Sequence, residues 1–261
     1  MPTPRPPSSE RDRSTCADLC QHVVVQQRLD SLIRPPIGFA HRGARAHAPE
    51  NTIEAFNLAL RLGATGLESD VWVTADGVAV LDHDGIARTR GRKLPIREVR
   101  RSDLPAHVPT ASEMFEACPG TYEFSVDIKD PDAIGPFLAA VRETAPSLEG
   151  RLWICHYDWE LVSTWRPLTA AKLVDSTRLS RMKEGPERRA ALLREKAIDA
   201  INLHHTDWNG GLVALIHRFD RFALGWDLQH EHQLGECLRM GLDGVFSDWT
   251  DRMMEAIHSL D

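Results

Sequence analysis

Two short stretches of this chain hold the residue types that chemistry on phosphorus needs. The first is His41-Arg42-Gly43, followed by Pro49-Glu50-Asn51-Thr52. The second is Glu68-Ser69-Asp70-Val71, followed by Thr74-Ala75-Asp76-Gly77 and then His83-Asp84. In-line attack on a phosphodiester needs a base for the nucleophile and an acid for the leaving oxygen. Two imidazoles can fill both roles near neutral pH, so His41 and His83 are the candidate acid–base pair. Arg42 offers a planar fork for non-bridging oxygens, and Lys129 a point charge.

These groups need elements that aim them at one another. Side chains alternate along a strand. Over Leu67–Val73 this puts Leu67, Ser69, Val71 and Val73 on one face and Glu68, Asp70 and Trp72 on the other. Over Tyr122–Lys129 the apolar face is Tyr122, Phe124, Val126 and Ile128, opposite Glu123, Ser125, Asp127 and Lys129. Apolar faces of this kind sit under helices, so the acids are expected to look inward. Inward carboxylates need a counter-charge, because burial and mutual repulsion would otherwise protonate them. A bound hard cation supplies it, and all-oxygen ligation favours Mg²⁺ or Ca²⁺, with Mn²⁺ also suitable. Glu68, Asp70 and Asp127 are the expected ligands; an ion-pair network with Lys129 is the plainer alternative. Glu50, beside the expected helix cap Asn51, is a candidate to reach the site from behind.

Beyond Pro35-Pro36 the chain alternates between apolar strand-like runs and helical periodicity. Strands are expected at Ile37–His41, Leu67–Val73, Tyr122–Lys129, Arg151–His156, Lys172–Ser176, Ile198–Leu203, Phe222–Trp226 and Gly244–Ser247. Val78–His83 adds a short extended return, and helices fill the gaps. Eight strand–helix repeats with short connections imply an α/β fold, a TIM (β/α)8 barrel. An open doubly wound sheet would normally carry a glycine-rich phosphate loop after its first strand, and Ala40–Ala46 is not one. The domain reading is an N-terminal extension over 1–34, disordered and then helical over Thr15–Ile33, followed by a barrel over 35–261.

Net charge is -7, which argues against a nucleic-acid surface. The basic run from Arg88 to Arg101 is expected to be a solvated lid, with attraction of anionic headgroups as its functional alternative. Five cysteines without zinc or redox spacing read as reduced thiols. With neither a signal-like leader nor a membrane-length apolar run, a cytoplasmic protein acting on a small-molecule phosphodiester is expected. Oligomeric state is left open.

The segments HRGARAHAPENTIEAF, GLESDVWVTADGVAVLDHD, ARTRG, VPTASEMF, SVDIKD and GLDGVFSDWTD resemble the glycerophosphodiester phosphodiesterase family, from about Ile37 to the C-terminus. That resemblance implies a metal-dependent barrel that cleaves glycerophosphodiesters to glycerol 3-phosphate and an alcohol. By the same resemblance His41 and His83 exchange protons, and Arg42 binds phosphate. Glu68 and Asp70 are metal ligands, Lys129 matches the family lysine, and Trp226 lies near the substrate. Asp127 stands where the family usually has glutamate, and His156-Tyr157 where it has a small polar residue and phenylalanine. A phospholipase-D-like or lysophospholipase activity is the alternative on the same barrel; a non-catalytic phosphoryl-ligand binder is the third reading.

Overall fold

The computed structural model describes Met1 and residues 29–89 and 91–260. The elements run in the order strand β1 (Ile37–Ala40), helix α1 (Ile53–Arg61), strands β2 (Gly66–Val73), β3 (Ala79–Leu81), β4 (Ile86–Thr89) and β5 (Arg92–Pro95), and helix α2 (Ala111–Ala117). Then come β6 (Glu123–Ile128), α3 (Ile134–Thr144), β7 (Leu152–His156), α4 (Trp159–Thr164), β8 (Lys172–Thr177) and α5 (Pro186–Glu195). The chain closes with β9 (Ala200–His204), α6 (Gly210–Arg218), β10 (Phe222–Trp226), α7 (Glu231–Arg239), β11 (Gly244–Ser247) and α8 (Thr250–His258).

The main sheet runs β1-β11-β10-β9-β8-β7-β6-β2-β3, and β1 also pairs with β2. Phe39 opposite Gly66 and Ala40 opposite Leu67 make that closing pair. Of these strands β3 alone is antiparallel, folded back on β2, so the rest form the parallel barrel that the alternation implies. Its strands are buried on both faces, as a helix-wrapped parallel sheet requires. Ile37, Phe39, Trp153, Cys155, Val174, Ala200, Leu224 and Phe246 fill the interior. Phe39 stacks on Phe246 at 4.5 Å between centroids and meets Trp153 edge-on at 6.0 Å. That plug leaves only the carboxyl ends of the strands open for a site. Outside, Leu67, Val71, Phe124, Val126 and Ile128 pack in the layer beneath the helices. The alternation of β2 and β6 therefore falls as its parity implies.

The expected helix over Thr15–Ile33 lies outside the described residues for its greater part, as do Cys16 and Cys20. Its described end is not helical: residues 29–33 run as coil and bend. They are held beneath the barrel floor instead. Leu32 N–H donates to Asp243 Oδ1 at 2.6 Å, and Ser31 Oγ donates to the same oxygen at 2.9 Å. Asp243 immediately precedes β11 and is fully buried, so this capture satisfies an acid that has lost its water.

The β4–β5 hairpin was not anticipated. Its register pairs Ile86 with Pro95 and Thr89 with Arg92. Arg88, Arg92 and Lys93 on it are exposed, while Arg97 reaches Asp130 at 2.8 Å and Arg101 reaches Glu113 at 3.0 Å. These residues lie outside the central cavity described below. Among the described residues no helix is long and apolar enough to cross a membrane.

Candidate active site

At the carboxyl ends of the strands the barrel opens into a cavity of about 320 Å³, a size that suits a small molecule. His41, Arg42, Glu68, Asp70, Asp127, Lys129 and Trp226 all line it. Seven of the residues singled out in the sequence thus meet in one place. His83 and Glu50 do not line the cavity.

His41 follows β1 directly. Its Nδ1 lies 2.6 Å from Asp248 Oδ1, and its Nε2 faces Glu68 Oε2 at 3.8 Å. A carboxylate on Nδ1 selects the tautomer that carries its proton there, leaving the Nε2 lone pair on the side of Glu68. Burial alone would lower the histidine's pKa, but Glu68 and Asp248 outweigh it and the net shift is upward. Asp248 is held down in return by its bond to His41, against its own burial. Its backbone N–H donates to Gln229 Oε1 at 3.1 Å. Asp248 was missed in the sequence. It sits one residue beyond β11, and that end-of-strand position in a barrel was the available signal.

The turn after His41 is left-handed at Arg42 (φ 52°) and at Gly43 (φ 80°). Such backbone in a non-glycine residue stores strain, and it clusters where function fixes it. Here it aims the Arg42 N–H at Glu68 Oε2, 2.9 Å away. The guanidinium meets Asp70 at 3.2 Å through Nε and Glu50 at 3.0 Å through Nη1. Arg45, also missed in the sequence, bridges Glu50 at 2.5 Å and Asp248 at 3.2 Å. Glu50 therefore steadies the two arginines from behind. A Cβ on Gly43 would lie 2.7 Å from both the carbonyl carbon and the Cβ of Ala55. Gly43→Ala is expected to destabilise the fold by at least about 1–2 kcal/mol, the cost of left-handed backbone with a side chain. A thermal melt checks it; an unchanged midpoint would show that the turn relaxes freely.

Asn51 is not the cap of α1. It too is left-handed (φ 55°), and Thr52 caps the helix by accepting from Ala55 N–H. The freed Asn51 side chain accepts from Ser69 Oγ at 2.7 Å and donates to Asp70 Oδ2 at 3.4 Å. The motif that looked like a helix start thus also props an acid of the site.

The acids have their counter-charges in the chain itself. Lys129 Nζ lies 3.0 Å from Asp70 Oδ1 and 2.5 Å from Asp127 Oδ2. Burial opposes the ammonium, yet Asp127 and Asp70 raise its pKa above the usual lysine range. Glu68 is 7% exposed, and burial pushes its carboxyl up to about 7 despite His41. Glu68, Asp70 and Asp127 are all oxygen donors, the chemistry a hard divalent cation takes, but among the described residues their ligand atoms do not all lie within 4.8 Å of one another. Lys129 marks where positive charge belongs. Among the described residues, however, the group whose ligand atoms all lie within 4.8 Å of one another is a different one: His204, His205 and Asp227.

His83 lies two residues beyond β3, with Nδ1 2.8 Å from Asp84 Oδ1. The neighbouring Asp82 N–H donates to Asp70 O at 3.1 Å, which ties this loop to the acid strand. On the cavity wall, Cys155 is buried and its thiol is pushed far above the usual range, as expected of an inert core cysteine. Asn202 lines the same wall, and its buried Oδ1 has no hydrogen-bond partner, an acceptor placed for a ligand hydroxyl. Tyr157 is exposed and stacks on His156 at 4.3 Å.

A parallel barrel with imidazole, cationic and carboxylate groups gathered at its open end defines a class: TIM-barrel enzymes of phosphate-ester chemistry. The sequence model of the Glycerophosphoryl diester phosphodiesterase family matches residues 41–252, and the chain belongs to that family. It is a phosphoric diester hydrolase. The chain is 26% identical over 242 residues to a glycerophosphodiester phosphodiesterase of Bacillus altitudinis, covering 83% of this chain and 96% of that protein. Its fold is similar to the crystal structure of a glycerophosphodiester phosphodiesterase from Thermotoga maritima, with a TM-score of 0.72 and 21% identity over 84% of this chain and 97% of that one. It is also similar to an Oleispira antarctica phosphodiesterase in complex with the product sn-glycerol-3-phosphate, with a TM-score of 0.75 and 20% identity over 85% and 97% of the two chains.

Proposed function

We propose that this chain hydrolyses glycerophosphodiesters to glycerol 3-phosphate and an alcohol, through the barrel of residues 35–261. His41 and His83 transfer the protons. Arg42, Lys129 and Trp226 hold the substrate. Glu68, Asp70 and Asp127 would hold a divalent cation, Mg²⁺ or Ca²⁺, with Mn²⁺ a further candidate. The observation that carries this reading is His41, oriented by Asp248 with Nε2 turned towards Glu68, in a cavity that Arg42 and Lys129 also line. When bound, such a cation polarises a phosphoryl oxygen.

The chain's own groups do the remaining work. Arg42, anchored by Glu50, keeps its guanidinium against Asp70, where it can fork onto non-bridging oxygens. Lys129 can turn from the two aspartates to the phosphate when their charge is met otherwise. His41 moves a proton at Nε2 while Asp248 stabilises the imidazolium. His83, on the loop tied to Asp70, serves the opposite side of the phosphorus. Asn202 Oδ1 accepts a hydroxyl of the glycerol moiety.

A release assay on several glycerophosphodiesters tests this, with protein stripped by chelator and reloaded with Mg²⁺, Ca²⁺ or Mn²⁺ in turn. Stripped protein is expected to be silent and at least one cation to restore glycerol 3-phosphate release. Faster turnover of lysolipid than of glycerophosphocholine would move the activity to the lysophospholipase reading. Binding without turnover under every cation would overturn the catalytic one.

A further inference from the structure

His204, His205 and Asp227 each offer a ligand atom, these atoms lie within 4.8 Å of one another, and Asp227 lines the same cavity as the acids. Topology brings them together. His204 ends β9 and Trp226 ends β10, and the two are register partners, so Asp227 emerges beside the histidine pair. His204 Nε2 is 3.1 Å from Asp227 Oδ2, and its Nδ1 is 2.8 Å from Thr206 Oγ1. Thr206 N–H donates to Nδ1 at 3.3 Å, so the neutral ring carries its proton on Nε2 and donates it to Asp227 Oδ2, and a cation between the two would take that proton's place. The His204 and His205 rings are 4.5 Å apart and tilted rather than stacked.

We propose that His204, His205 and Asp227 form a second metal site, for a borderline divalent cation of the Zn²⁺ class. The chemistry separates it from the acid cluster. Two imidazoles and one carboxylate suit Zn²⁺, whereas the all-oxygen set of Glu68, Asp70 and Asp127 suits harder ions. Three protein ligands leave one coordination position to water or to a ligand in the cavity. Asp227 lines that cavity with Trp226 and Gln229. Its other oxygen accepts from Gln229 Nε2 at 3.2 Å, and Gln229 in turn accepts from the Asp248 N–H. An ion here fixes the segment of wall that leads to the partner of His41.

The test uses the full chain without a histidine tag, stripped by chelator and then held in excess Mg²⁺ to satisfy the acids. Co²⁺, an optical stand-in for Zn²⁺, is titrated in. One equivalent is expected to bind with visible absorption bands and to be displaced by Zn²⁺. His205→Ala and Asp227→Asn are expected to weaken Zn²⁺ binding by at least about tenfold, and Glu68→Gln to leave it unchanged. X-ray absorption of the Zn²⁺-loaded wild type, which needs no variant to fold, is expected to show imidazole nitrogen in the first coordination sphere. Absence of stoichiometric Co²⁺ binding overturns the site. So does retention of the bands in both His205→Ala and Asp227→Asn, or their loss in Glu68→Gln.

Discussion

Replacing His41 by alanine is expected to lower kcat by about 10²–10⁴-fold, the usual contribution of a positioned acid–base group. KM should move far less, because Arg42 and Lys129 still line the cavity. The size of the effect follows from how fully the ring is specified. Asp248 holds Nδ1 at 2.6 Å, and Nε2 looks onto Glu68. Asp248→Asn keeps an imidazole in place but removes the charge that fixes its tautomer. It should therefore lower kcat by less than the alanine variant does. Steady-state kinetics on one glycerophosphodiester, with a thermal melt to confirm folding, check both. Wild-type turnover in His41→Ala would remove this residue from proton transfer. The same measurement on His83→Ala decides the second proton: a loss comparable to that of His41→Ala supports a two-histidine route, and wild-type turnover refutes it.

Arg189→Met is expected to cost about 3–5 kcal/mol of stability, the range for stripping one partner from a buried ion pair. The corresponding fall in Tm is roughly 6–20 °C for a chain of this size. Asp175 on β8 is fully buried, and Arg189 on α5 is 6% exposed. The guanidinium donates to Asp175 Oδ2 at 2.6 Å, also bonds Glu184, and lies 5.4 Å from the centre of the Trp159 ring. Methionine keeps the stem and removes the charge. The loss should depend on pH. Burial pushes Asp175 up to about 6 even with Arg189 beside it, and without the arginine it rises further. A carboxyl raised above its unfolded value contributes stability that is complete below that unfolded value and is lost as pH climbs through the folded one. The deficit of the variant is therefore largest above pH 7 and shrinks towards pH 5, where Asp175 takes up a proton. Melts at the two pH values check this, and equal deficits would exclude Asp175 as the source.

Much of the architecture was legible because barrel strands carry strong signals. On β2, Leu67 and Val71 alternate with Glu68 and Asp70, and period 2 sends the two sets to opposite faces. The β4–β5 hairpin gave no such signal, since Arg88, Arg92 and Lys93 pair across a solvated ribbon with little apolar alternation. Asn51 misled for a different reason. Asparagine is among the best caps by composition, but its left-handed backbone spends the side chain on Ser69 and Asp70 and passes the cap to Thr52. Asp248 stayed hidden because its partners His41 and Arg45 are distant in sequence, and Arg45 and Asn202 because each is a single polar residue without a motif around it. Only closure of the barrel brings the end of β11 against the end of β1.

Lys129, shared between Asp70 and Asp127, makes the polypeptide electrically self-sufficient at its most acidic point. The amine is tethered to the backbone one residue after β6, so it arrives during folding without being captured from solution. Assembly of the barrel is therefore expected not to wait on a metal. A chelator should silence such a molecule without unfolding it, unlike a small zinc domain, whose shape is lost with its ion.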